Sequence, residues 1–382
     1  MICLRASAGL YIHIPFCRQK CLYCDFPSFA GREDLQEHYT ASLLAEIRRR
    51  AQMCQGRIFQ SVFFGGGTPT ALPLPLLERL AREVFASFHI TEGAEITTEA
   101  NPGTLSRETA RTLRGIGFNR LSIGVQAWQN HLLKRLGRIH TIEEFLENYR
   151  IVREEGFRNV NVDLMFALPG QTLEEWQETL EQATILEPEH ISAYSLILEE
   201  GTPFYREWEE GKLTTVSEEL DREMYRFAVD FLAEKGYTQY EISNFAKPGR
   251  QSRHNRIYWQ AEEYLGLGLG AHSFWNGERF HNPYGLEEYM QAGGIPERLE
   301  QDREKISEQD ALAEFMFLGL RLTEGVAFAA FRERFGREMK DVYGSRIDKL
   351  TRQGLLAADG AGIRLTRRGI DVSNVVFGEF LL

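Results

Sequence analysis

The chain has 382 residues, more than one small core usually organises and suited to a large domain with a smaller companion. A net charge of −11, from 44 basic and 55 acidic side chains, argues against a broad phosphate-neutralising face and so against nucleic acid as a partner. No apolar run reaches the roughly 18 residues of a membrane-spanning helix, and Met1–Gly9 is too short for a signal peptide, so a cytoplasmic location is expected, with peripheral membrane contact left open.

Leu10–Ile14 reads as a strand, and Asp34–Cys54 as a helix whose solvated end carries Arg48–Arg50. Ser61–Phe64 is a second strand, followed by a helix over Leu74–Phe88. Strand-like Glu95–Thr98, Leu121–Val125, Val160–Met165 and Ile191–Leu196 then alternate with helical Ser106–Gly115, Thr141–Gly156 and Thr172–Leu186. Such alternation predicts a parallel sheet with right-handed crossovers. Six units without a doubly wound fingerprint predict an α/β fold of the partial (β/α) barrel type, which Gln239–Ile242 and Tyr264–Leu269 would extend.

After Gly294 the character changes, which divides the chain into residues 1–294 and 295–382. Ser307–Leu322 is a helix with Ser307 as N-cap and Asp310 at N3. Helices over Ala327–Phe335 and Met339–Gln353 and a hairpin over Gly354–Leu365, turning at Asp359–Gly360, complete a smaller helical, winged-helix-like domain. That shape also serves protein contacts and lids, so DNA binding does not follow from it.

On a barrel of this kind, functional side chains stand at the C-terminal ends of strands. Cys17, Cys21 and Cys24 follow the first strand in the stretch YIHIPFCRQKCLYCDF. Their CxxxCxxC spacing offers three thiolates with no obvious fourth, whereas an electron-transfer cluster takes one thiolate per iron. Three ligands would leave one iron of a [4Fe–4S] cluster open; the segment resembles the radical S-adenosylmethionine (SAM) signature, which implies SAM at that iron and its reductive cleavage to a 5′-deoxyadenosyl radical. A zinc site completed by His13, or three buried thiols without metal, are the alternatives for the same residues. Isolated Cys3 and Cys54 read as free thiols or small buried hydrophobes.

Gly65–Gly67 ends the second strand, where glycine lets backbone approach a ligand closely. Glu99 ends the third strand and could accept hydrogen bonds from ribose hydroxyls or an ammonium group; a loop or N-cap carboxylate is the plainer reading. Gln126, Arg138 and Asp163 stand on or near the same rim, and an aspartate in an apolar strand needs a partner.

The segments YIHIPFC, FFGGGTPT, EANPG, GVQ, LGR.H and NVDLMFALPGQT together resemble the radical SAM family of oxygen-independent coproporphyrinogen III oxidases and their HemW-type relatives. By matching motif positions, the resemblance implies a cluster on Cys17, Cys21 and Cys24 and SAM contacts from Tyr11, Gly66, Gly67, Thr68, Glu99, Gln126, Arg138 and Asp163, with Tyr23 near the adenine.

Two departures separate the branches. The oxidases carry a further cysteine two residues after the third, where this chain has Phe26, and a longer segment ahead of the position of Tyr11. Both features are similar to HemW-type proteins, which implies a haem chaperone with haem and haem-acceptor proteins as partners and leaves homodimerisation open. Oxidative decarboxylation of coproporphyrinogen propionates to vinyl groups is the alternative function. SRHNRIYW, over Ser252–Trp259, resembles the HemW haem-binding motif. It implies His254 as an iron ligand, Tyr258 and Trp259 against the porphyrin, and Arg253 and Arg256 for propionates; a hydrogen-bonded loop histidine is the simpler reading of His254. His272, in GLGLGAHSF, is a second candidate ligand.

Overall fold

The chain is described by a computed structural model covering residues 8–381. Six strands run in the predicted places: β1 (Ala8–Ile14), β2 (Phe59–Gly66), β3 (Ile90–Ala100), β4 (Arg120–Gln126), β5 (Val160–Phe166) and β6 (His190–Ser195). Each pairs in parallel with the next, from Leu10 beside Val62 through Asp163 beside Ser192. Helices α1 (Gln36–Met53), α2 (Leu74–Ser87), α3 (Arg107–Ile116), α4 (Ile142–Glu154) and α5 (Leu173–Ile185) fill the crossovers. Strands covered on both faces should be apolar almost throughout, and β1 and β4 are buried at nearly every residue. Thr141 and Thr172 start α4 and α5 with reciprocal capping boxes, satisfying orphan N–H groups at both ends of the motif.

The sheet closes differently at its two flanks. β7 (Thr238–Glu241) and β8 (Asn244–Ala246) return antiparallel beside β6. β9 (Tyr264–Leu267) crosses to the other flank and runs parallel to β1, after helix α6 (Glu218–Glu234) and the short helix α7 (Arg253–Trp259). An antiparallel ribbon follows, of β10 (His272–Trp275), β11 (Glu278–His281) and β12 (Gln301–Lys305). The resulting open twelve-stranded sheet is a partial barrel with the order β12-β11-β10-β9-β1-β2-β3-β4-β5-β6-β8-β7.

The ribbon moves the expected domain boundary. β12, with the sequence QDREK, lies past Gly294 yet pairs with β11 in the large sheet. Its side chains are mostly exposed, so no apolar alternation betrays it as a strand.

A second core begins at helix α8 (Glu308–Gly319), capped by Ser307 accepting the Asp310 N–H. Helices α9 (Phe328–Phe335) and α10 (Met339–Arg352) and the three-stranded sheet of β13 (Val326–Ala327), β14 (Leu356–Ala358) and β15 (Gly362–Leu365) pack around Met316, Phe331, Tyr343 and Ile347. This domain is held on the barrel by Thr323, whose N–H donates to the Tyr240 carbonyl, and by an Arg256–Glu324 ion pair. No helix among the described residues is long and apolar enough to cross a membrane. Cys54 is buried and free, and Cys3 lies outside the described residues.

Candidate cofactor site

The cysteine loop leaves β1 and is clamped at three places. Its base is a short parallel pairing of Phe16–Cys17 with Phe29–Ala30. At its middle, the Leu22 N–H donates to the Leu136 carbonyl and the Leu22 carbonyl accepts from Phe204. The Gln19 amide donates to the Gly137 carbonyl. Gly137, at φ +75°, has no room for a Cβ, which would lie 2.9 Å from Leu22 Cγ. The LGR segment is therefore the seat of the cysteine loop.

Cys17, Cys21 and Cys24 are free, half-buried and turned into one cavity of about 410 Å³. Burial pushes the Cys17 thiol up and the Cys24 thiol to about 11, so binding iron must displace protons. Arg138 donates through Nη1 to Cys21 Sγ at 3.4 Å and through Nη2 to Asn101 Oδ1 at 2.7 Å. Asn101 in turn donates to Thr68 Oγ1, which lies 3.6 Å from Cys17 Sγ. The rim is thus cross-linked from strand end to strand end.

The glycines serve packing as well as ligand approach. Gly66 sits at φ +111°, and a Cβ there would fall 2.5 Å from the His13 ring. A Cβ on Gly67 would meet the Phe16 carbonyl at 2.8 Å and Cys17 Sγ at 3.0 Å. The Gly66 N–H donates to Glu99 Oε2 at 3.1 Å, which aims that carboxylate into the cavity. Gln126 ends β4 at φ +74°, in the left-handed region that non-glycine residues seldom occupy.

Glu99 and Asp163 both stand half-buried in the same wall. Burial, followed by the nearby Asp163, raises Glu99 to about 8 against the bond from Gly66. Burial also raises Asp163, while Ser192, Ser122 and Asn161 hold it back. Two desolvated carboxylates with few cations beside them suit a ligand that brings positive charge.

Of the residues expected at a SAM site, the structure brings Tyr23, Gly66, Gly67, Glu99, Gln126, Arg138 and Asp163 to the walls of the three-cysteine cavity. Thr68 stands behind that wall, in a small recess beside Asn101 and Arg138. Tyr11 lines a neighbouring cavity, with its hydroxyl 3.0 Å from His13 Nδ1. Asn101, inside the EANPG segment but unassigned from sequence, is the residue that joins Thr68 to Arg138. Only its position two residues from Glu99 could have flagged it.

His254 is not on a loop. It lies in α7, is 2% exposed, and is hydrogen-bonded through Nδ1 to Ser61 Oγ at 2.9 Å and through Nε2 to the Tyr258 hydroxyl at 2.8 Å. Burial, then Arg120, pulls it down to about 3, so the ring is neutral. This arrangement agrees with the simpler sequence reading, a hydrogen-bonded histidine. Arg253 donates to the Gly93 carbonyl and Arg256 pairs with Glu324, so both guanidinium groups hold the fold together.

The donor set fits the group implied by the cysteine spacing. Three thiols at separate points of one cavity suit a polynuclear cluster, in which each binds its own iron. No three His, Cys, Asp or Glu side chains among the described residues converge as they would on one ion. His13, the fourth donor of the zinc alternative, is buried with its ring nitrogens bonded to the Tyr11 hydroxyl and the Pro27 carbonyl.

Residues 11–183 match the Radical SAM superfamily and residues 306–372 the HemN C-terminal domain. The curated protein "Heme chaperone HemW" of Lactococcus lactis is 38% identical over 99% of this chain and 98% of its own length. Its namesakes in Bacillus subtilis and Escherichia coli are 37% and 36% identical, covering 97% and 98% of this chain and 98% of their own lengths. The fold superposes on that of coproporphyrinogen III oxidase (HemN) from Escherichia coli with a TM-score of 0.86 and 24% identity, covering 98% of this chain and 90% of that one. Motifs, cavity and near-full-length likeness together place this chain in the HemW family of radical SAM proteins.

Proposed function

We propose that this protein binds haem and passes it to acceptor proteins, while holding a [4Fe–4S] cluster on Cys17, Cys21 and Cys24 and SAM beside it. One observation carries the reading: the three-cysteine cavity adjoins a larger apolar cavity, and Asp25 and Phe26 line both. The larger space, about 700 Å³, is within the roughly 300–1,000 Å³ typical of cofactor-sized ligands.

When bound, the cluster and SAM supply one-electron reduction and radical chemistry. The residues prepare for them by charge and shape. Glu99 and Asp163 would receive the cationic and hydroxyl groups of SAM, Arg138 would keep its guanidinium on Cys21 Sγ, and Tyr23 would cover the adenine. Phe26 presents an apolar, 61% exposed ring where the decarboxylating oxidases have a thiol, which favours holding a porphyrin over reacting with it.

The test is a haemin titration of the purified protein, followed by mixing with the apo form of a haem protein. Saturable Soret absorbance that then moves to the acceptor is expected, and failure to bind haemin refutes the proposal. Anaerobic incubation with coproporphyrinogen III, SAM and a reductant should give no vinyl product; formation of that product would instead establish the enzymatic alternative.

A further inference from the structure

The larger cavity lies between the barrel and the C-terminal domain. Its barrel side comes from α7 through Tyr258 and Trp259, from β9 and β10 through Tyr264 and Phe274, and from the end of the cysteine loop. Its far side is α8, through Phe317 and Leu318. Aromatic walls of this kind suit a flat, apolar ring system, which stacks or meets ring edges on them. The charged groups at the wall are Asp25, Glu262 and Glu314 against Arg279, whose guanidinium is already paired to Glu314. An acidic balance repels carboxylates, so a porphyrin would enter ring first and leave its propionates in water.

Four histidines stand at or beside this space, and three are already committed. His13 is buried and bonded to Tyr11 and Pro27. His254 is buried and bonded to Ser61 and Tyr258. His281 bonds the Asn282 carbonyl through Nδ1 and Asp302 through Nε2. His272 differs: it is exposed, lines the cavity, and has one ring nitrogen bonded, to the Tyr284 hydroxyl at 2.7 Å.

That hydroxyl orients the ring, as an outer partner does for metal-bound histidines, and leaves the second nitrogen to a ligand. A half-turn of the ring exchanges the two. The His281 ring stacks behind it at 5.0 Å and limits its swing. Partial burial, then His281 and Arg279, lowers its pKa, which keeps the imidazole neutral as iron ligation requires.

Resting on the haem-binding reading above, we infer that the iron of the bound haem is ligated by His272 in the cavity between the barrel and α8. His254 is then a positioning residue, acting through its bond to Tyr258 on the cavity wall.

The experiment is haemin titration of the full-length protein, wild type beside His272→Ala, His281→Ala and His254→Ala, read by absorbance and electron paramagnetic resonance. His272→Ala should lose the histidine-ligated spectrum and bind at least about tenfold more weakly. Added imidazole should restore that spectrum in His272→Ala. His254→Ala should bind more weakly yet keep the wild-type ligation spectrum, and His281→Ala should keep it too. An unchanged spectrum and affinity in His272→Ala overturns the inference, as does loss of histidine ligation in a folded His254→Ala. If the wild type binds no haemin, the broader proposal fails; if it binds and His272→Ala is unaffected, only the ligand assignment fails.

Discussion

The Glu95 carboxylate accepts the backbone N–H of His254 at 3.2 Å on one oxygen and that of Arg253 at 3.1 Å on the other. Ser252, the N-cap of α7, also donates its hydroxyl to Glu95 at 3.4 Å. A side chain from β3 thus caps a helix more than 150 residues away in sequence and sets a negative charge on the helix's positive end. The short α7 owes its place to this contact, and with it the Tyr258 and Trp259 side chains that line the large cavity.

Replacing Glu95 by Ala should therefore cost about 2–4 kcal/mol, because buried donors lose a charged acceptor. Glu95→Gln keeps one acceptor and should cost about half as much. Urea unfolding of the two variants measures the difference, and equal stabilities would show that the cap does not anchor α7.

His254→Ala removes a buried ring that bonds Ser61 and Tyr258 and stacks on Phe63 at 5.1 Å. A loss of about 2–4 kcal/mol is expected from the cavity and the two stranded hydroxyls. Denaturant midpoints check it, and a loss under about 0.5 kcal/mol would mean that the residue is not packed as described.

Glu99 gives stability a definite pH dependence. Its ordinary value of 4.5 is raised to about 8 in the fold, so the unfolded chain releases this proton at lower pH than the folded one. The contribution is fully present below about 4.5 and is lost as pH rises through about 8. Glu99→Gln has no such proton, so in SAM-free protein its stability should gain on wild type from pH 4.5 to 8 and then level off. Buried His13 and His254, pulled down to about 4 and about 3, act oppositely in both proteins, removing stability as pH falls below the ordinary histidine value of 6.5. Thermal melts of the pair across this range isolate the Glu99 contribution.

Gly66→Ala should damage the site through backbone strain. The residue holds φ +111°, and the new methyl would sit 2.5 Å from the His13 ring. A loss of about 3 kcal/mol or more is expected, together with poor cluster loading. Iron and sulfide assays after anaerobic reconstitution report the loading, for which the intact site should reach about four of each per chain. Serine at Cys17, Cys21 or Cys24 should lower that content without comparable loss of fold, since each thiol is half-buried and free.

Much of this molecule is written locally. Hydrophobic runs such as LYIHI and SVFF read as buried strands, Thr141 and Thr172 announce their helices, and CxxxCxxC marks three candidate metal ligands at short range. The rule that rim residues follow strand ends then points to Glu99 and Gln126, which line one cavity with Arg138 and Asp163. Tertiary structure decided what depends on partners distant in the chain. The polar strand Gln301–Lys305 forms because β11 offers it a ladder, and α7 is set in place by Glu95. The difference between His254 and His272 is likewise invisible in sequence, because it rests on which ring nitrogens find a neighbour. Folding places Ser61 and Tyr258 around the first, and turns the second outward onto a cavity with Tyr284 at one nitrogen.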